Sequence, residues 1–250
     1  MSKQRDKRIQ AGRLVREVLW TPVYPSDKPA QRAAKSRCTS AARRRVNLRC
    51  AWQKLMMSLA ANFGGRDLHV VLTYDDEHLP SDAAGARKIV RRFVSQLRAH
   101  RAARGDELRY VYNVEGRHGD RRLHHHMVLN AAGGDLEAIK SLWACGDVHI
   151  ERIDAYGYAQ LAQYLTKEAR EDGAPVGARS WIPSKNLRKP ESPPAEWVPE
   201  GVQLSPPANA HILERESQEN EFGRYQYVMY LLPELPLDRK ARPAPKRRIS

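Results

Sequence analysis

The spacing of apolar and polar positions changes several times along the chain. Ala42, Val46, Cys50, Leu55, Met56, Leu59 and Phe63 recur near the helical period and are followed by Gly64-Gly65, so a helix is expected from about residue 41. "LHVVLTY" (68–74) is apolar and β-branched and reads as a strand. "DDEHLPSD" is a loop in which Ser81 or Asp82 can cap a helix running to about residue 103, with Ile89, Phe93, Val94 and Leu97 inside. "LRYVYNVEG" (108–116) alternates as a strand, "RHGDR" is a turn, and "LHHHMVLN" (123–130) is the return strand. "DLEAIKSLW" (135–143) reads as a short helix and "DVHIERI" (147–153) as a fourth strand, with a helix from about Asp154 through Arg170.

The order β-α-β-β-α-β predicts an α+β protein with a ferredoxin-like core, a central antiparallel sheet and flanking helices. In that arrangement the first and third strands are central, which puts the histidine strand between two neighbours. Residues 1–40 are basic and broken by Pro22, Pro25 and Pro29, and are expected as an extended, flexible arm. Residues 41–170 form the expected domain with its N-terminal helix. Residues 171–237 are Pro-rich and are expected to wrap the core as loops, with one short element at "RYQYVMYLL" (224–232). Residues 238–250 read as a basic disordered tail.

Charge narrows the partners. The net charge is +14, gathered in blocks such as "AARRRVNLR", "RKIVRRFVSQLRAHRAAR" and "RKARPAPKRRIS". This favours a polyanion, most often nucleic acid. Arg43, Arg44, Arg45 and Arg49 on the first helix and Lys88, Arg91 and Arg92 on the second are the candidate DNA-backbone contacts; the other reading is a solvated face on a core helix. Cys38, Cys50 and Cys145 are too few and scattered for a disulfide framework or zinc knuckle, so they read as reduced thiols in packing roles. No apolar run is long enough to span a bilayer and no apolar signal region follows the basic start, so a soluble, cytosolic protein with no membrane partner is expected.

His124, His125 and His126 sit together in a strand. Side chains alternate, so His124 and His126 share one face and His125 takes the other. A hairpin turning near Gly119-Asp120 puts Glu115 opposite His124 and Asn113 opposite His126. Two imidazoles and a carboxylate would then leave open positions around a divalent ion, Mn²⁺ or Mg²⁺. A solvated or hydrogen-bonded histidine group is the competing reading. In "YLTKEAR" (164–170), Tyr164 and Lys167 share a helix face. Tyr164 is a candidate covalent nucleophile and Lys167 a candidate partner at a phosphate. The alternative is a core-edge aromatic beside a solvated charge. Tyr156 and Tyr158 are weaker nucleophile candidates.

"LHHHMVL" resembles the His–hydrophobe–His motif of the HUH endonucleases, "VVLTYDDEHLP" (70–80) the first motif of their replication initiators, and "YLTKE" their Tyr-x-x-Lys motif, in the right order. "SKNLRKPE" (184–191) is similar to a stretch in replication-associated proteins of the filamentous-phage gene-II class. The resemblance covers roughly residues 40–232. It implies a nickase that cleaves single-stranded DNA at a replication origin in a bacterial host cytoplasm. His124, His126 and Glu115 would hold the metal, Tyr164 would form a 5′-phosphotyrosine intermediate that allows religation, and Lys167 would assist. It also implies rolling-circle replication of a phage or plasmid. No Walker-type loop is present, so a host helicase and polymerase would be partners. His125 stands where the family has a hydrophobe, and Glu168 where some members have a second tyrosine, so a single-tyrosine enzyme is expected. A single-tyrosine transposase or relaxase, a non-catalytic single-strand-binding module, and a structural protein with adventitious metal binding are the rivals.

Overall fold

The computed structural model describes residues 3–22, 41–116, 122–153, 158–166, 181–220 and 223–233. Five strands build the sheet expected from the sequence: β3 (Leu68–Thr73), β4 (Tyr110–Glu115), β5 (His124–Leu129), β6 (Val148–Arg152) and the short β7 (Ile182–Pro183). Their order is β6-β3-β5-β4-β7, antiparallel throughout. The first four follow the ferredoxin-like α+β arrangement, and β5 is paired on both sides.

α2 (Ala83–Ala102) and α3 (Asp135–Leu142) cover one face of this sheet. Asp82 is the N-cap of α2, its carboxylate accepting from the Gly85 N–H at 2.7 Å. Ala86, Val90, Phe93, Val94 and Leu97 meet Val70, Leu72, Tyr112 and Met127 in the core. The end of α2 is tied to the start of α3 by a fully buried pair, Arg101 with Asp135 at 2.6 Å.

α1 (Ala41–Asn62) and α4 (Ala159–Leu165) cover the other face. Leu55, Met56, Leu59 and Phe63 are buried as expected, but Cys50 is exposed. α4 begins later than the sequence pattern indicated, because Tyr158 has φ +57 and cannot continue a right-handed helix.

A second sheet was not foreseen. Residues 3–20, expected as part of an extended arm, instead form a hairpin of β1 (Lys3–Ala11) and β2 (Leu14–Trp20). Gly12, with φ +57, occupies the first central position of the two-residue turn, where a II′ turn takes glycine. The Pro-rich region likewise contains more than loops. β8 (Glu196–Pro199) pairs with β1, and β9 (His211–Asn220) pairs with β10 (Gly223–Leu231), the element expected near 224–232. The order is β8-β1-β2-β10-β9.

β10 is covered on both faces. Tyr227, Met229 and Leu231 pack with α1 and the first sheet, while Val228 and Tyr230 pack with Val15, Leu19 and Leu204. α1 is therefore sandwiched between two sheets. Among the described residues no helix is long and apolar enough to cross a membrane. The turn 117–121, the segment 23–40 and the tail 238–250 lie outside the described residues.

Candidate metal centre

The β4–β5 register is the one the hairpin argument needs: Glu115 pairs with His124 and Asn113 with His126. Alternation puts His124, His126 and Glu115 on the face toward α1 and α4. One ligand atom from each lies within 4.8 Å of the others. The Glu115 Oε2 atom stands 3.3 Å from His124 Nε2 and 3.8 Å from His126 Nε2. Glu115 and His126 are buried, and His124 is the partly open member.

Proton placement follows from the hydrogen bonds. His124 Nδ1 lies 2.9 Å from the Arg122 carbonyl, which can only accept, so Nδ1 carries the proton and the neutral ring has its lone pair at Nε2. His69 Nδ1 lies 2.7 Å from Glu151 Oε1 and must donate to it. The neutral His69 therefore accepts at Nε2 from His126 Nδ1, 3.2 Å away. This leaves the His126 lone pair also at Nε2. Two imidazole lone pairs and a carboxylate oxygen thus converge, and only a shared positive charge makes that favourable. The second Glu115 oxygen, Oε1, is buried with no hydrogen-bond partner. The donor set fits a divalent cation.

Burial pushes His126 down to about 3, against the pull of the Glu115 charge, so its ring is neutral and ligand-competent at ordinary pH. Burial alone would raise the Glu115 carboxyl, but the hydrogen bond from His124 and the charges of His126 and His124 outweigh it and hold it below its usual range.

His125 has a different role. It is fully buried on the opposite face, where the Tyr74 hydroxyl donates to its Nε2 at 2.6 Å. Burial pushes it down to about 3. The Tyr74 that ends the Leu-Thr-Tyr strand thus anchors the middle histidine in the core and removes it from the ligand group.

His69 and Glu151 were missed by sequence reading. Their signal was a polar residue inside each of "LHVVLT" and "VHIER". The register that aligns His69 with Glu151, and lays His69 beside His126, depends on pairing between strands far apart in sequence.

α4 carries position 164. Its end is held over the same sheet face by Asn113, whose amide donates to the Leu165 carbonyl at 3.2 Å. The Tyr164 side chain, Lys167 and Tyr156 lie outside the described residues. Tyr158 is buried and its hydroxyl donates to the Phe63 carbonyl, a structural engagement rather than that of an accessible nucleophile.

The expected DNA contacts do not gather at this centre. The Arg43, Arg44 and Arg45 side chains lie outside the described residues. Arg49 is engaged by Glu214 at 2.9 Å and Glu216 at 2.7 Å. Lys88, Arg91 and Arg92 are exposed on α2, on the far side of the sheet from Glu115. Trp143 is buried, donating to the Thr73 carbonyl, and cannot stack on a base.

Residues 67–169 match the family model of replication-associated proteins named for ORF2 and the gene-II protein. The matched span runs from just before β3 past α4 and includes the Glu/His/His group. This likeness supports a replication-initiator-like role and, with it, interaction with DNA. No curated protein and no solved structure matches the chain.

Proposed function

We propose that the chain is a metal-dependent nickase of the HUH type that cuts single-stranded DNA at a replication origin and starts rolling-circle replication of a phage or plasmid. The observation that carries this reading is the convergence of His124, His126 and Glu115 on a central, doubly paired strand inside the span similar to replication-associated proteins. Those residues would hold a Mn²⁺ or Mg²⁺ ion, which supplies Lewis-acid polarisation of a phosphate oxygen.

The chain's own residues do the rest. Glu151 and His69 hold the His126 ring in the tautomer that presents Nε2. Asn113 fixes the end of α4 beside the same face. Tyr164 attacks the scissile phosphorus: the phenol gives up its proton, a Tyr–O–P bond forms, the P–O3′ bond breaks, and the departing 3′ oxygen takes up a proton. Lys167 assists by offsetting charge on the phosphate. The retained ester permits later religation, and the free 3′-hydroxyl suits a host polymerase working with a host helicase.

The test is cleavage of labelled single-stranded origin DNA with Mn²⁺ and with EDTA, read on denaturing protein gels. A metal-dependent covalent band that disappears in Tyr164→Phe is expected. DNA binding without any covalent band would overturn the enzyme in favour of a binding module.

A further inference from the structure

A cleft of about 460 Å³ lies between α1, the β1–β2 hairpin and residues 181–192, apart from the Glu/His/His group. Its size is that of an ordinary ligand site. Arg16, Lys54, Arg188 and Lys189 line it together with Trp181, and among the described residues no carboxylate does. The Arg16 Nε atom is buried with no hydrogen-bond partner.

The cleft is built rather than incidental. The Ser184 N–H donates to the Tyr110 carbonyl at 2.8 Å, and the Tyr110 N–H donates to Ser184 Oγ at 3.1 Å. Asn62 clamps the Arg188 backbone from both sides, accepting from its N–H at 2.7 Å and donating to its carbonyl at 2.9 Å. Glu191 bridges to Gln10. The backbone that carries Arg188 and Lys189 is thereby preset, which lowers the ordering cost of binding.

We infer that this cleft is a single-stranded nucleic-acid subsite, taking a base against Trp181 and backbone phosphate on Arg16, Lys54, Arg188 and Lys189. A basic groove with an interleaved aromatic is the combination that single strands use. An acidic peptide would satisfy the cations and leave the indole without a counterpart. The position also fits. Trp181 precedes Ile182, which pairs with Tyr112, and Trp181 packs on the same side of the sheet as α1 and α4. Glu115 lies three residues further along β4, roughly 10 Å away at strand spacing. One strand of DNA can therefore occupy the cleft and the Glu/His/His group together. That the bound strand is the one cut rests on the nickase reading; that the cleft binds a single strand does not.

The test is fluorescence anisotropy of a labelled oligothymidylate titrated with the full chain in EDTA, over a series of salt concentrations. The double variant Lys54→Gln/Arg188→Gln, both at exposed positions, should flatten the slope of log affinity against log salt by roughly 1.4, at about 0.7 per lost phosphate contact. Trp181→Ala should weaken binding about ten-fold, with Trp181→Phe restoring most of it. An unchanged salt slope in the double variant, with its thermal melt intact, would overturn the inference. Displacement of the oligonucleotide by polyglutamate as effectively as by unlabelled oligothymidylate would overturn it in favour of an acidic protein partner. Because no cleavage is needed, loss of the covalent band alone would sink the nickase and leave this site standing.

Discussion

His126 shows how a single position acquires its chemistry from its neighbours. Its Nδ1 proton goes to His69, whose own proton goes to Glu151, so its remaining lone pair faces Glu115. Removing His69 lets the ring turn or change tautomer. His69→Ala should lower Mn²⁺ affinity about 10- to 100-fold while leaving the fold intact, as read by calorimetric titration. A smaller loss would mean that packing alone orients His126. Proton linkage gives a second expectation. His125 and His126 are both held near 3, far below the usual 6.5, so between those values the unfolded chain binds protons that the folded chain refuses. Stability must then fall as pH drops through that window. The depressed Glu115 carboxyl acts in the same direction at the acid end. Urea midpoints measured between about pH 7 and about pH 4 should decline steadily in the metal-free protein. A flat profile would contradict the burial of these rings.

Helices α2 and α3 are joined by a charge pair that no local pattern in the chain signals. Arg101 is fully buried, and its guanidinium meets Asp135, the Asn130 side-chain and backbone oxygens, and the Glu107 carbonyl. Asp135 also accepts from the Ala132 N–H. A buried pair of this kind adds little over an apolar replacement, but losing one partner strands the other charge. Asp135→Ala should therefore cost about 3–5 kcal/mol, measured by denaturant unfolding. A loss under about 1 kcal/mol would show that water reaches Arg101. By contrast, the Asp82 cap of α2 was readable from sequence because a cap is local: the acceptor and the N–H it satisfies are three residues apart.

The two sheets enclose α1, and this explains why its polar residues misled. Gln53 donates to the Tyr227 hydroxyl at 3.1 Å, and Arg49 meets Glu214 and Glu216, so the side read as a DNA-contacting or solvated face is largely a contact with the second sheet. Leu55, Met56 and Leu59 depend on Tyr227, Met229 and Leu231 for cover. A chain ending at residue 210 would uncover that surface. It should bind a hydrophobic dye and lose cooperative thermal unfolding, even though every residue of the first sheet is retained. Cooperative melting in that truncation would mean that the second sheet is dispensable to the core.

The ferredoxin-like order, the position of the histidine strand and the Glu115–His124 pairing were all legible in the chain. Each depends on contacts close in sequence: periodicity within one element, or a hairpin whose short turn sets the register. His69, Glu151, Arg101–Asp135 and the second sheet were not legible. β9 is mostly charged and polar, and β1 pairs with β8 about 190 residues away, so neither strand carries a hydrophobic pattern that marks its partner. Such pairings are chosen by the complementarity of surfaces that exist only after the first sheet and α1 have come together, which is why the local pattern predicted the metal ligands and the tertiary structure alone decided what orients and covers them.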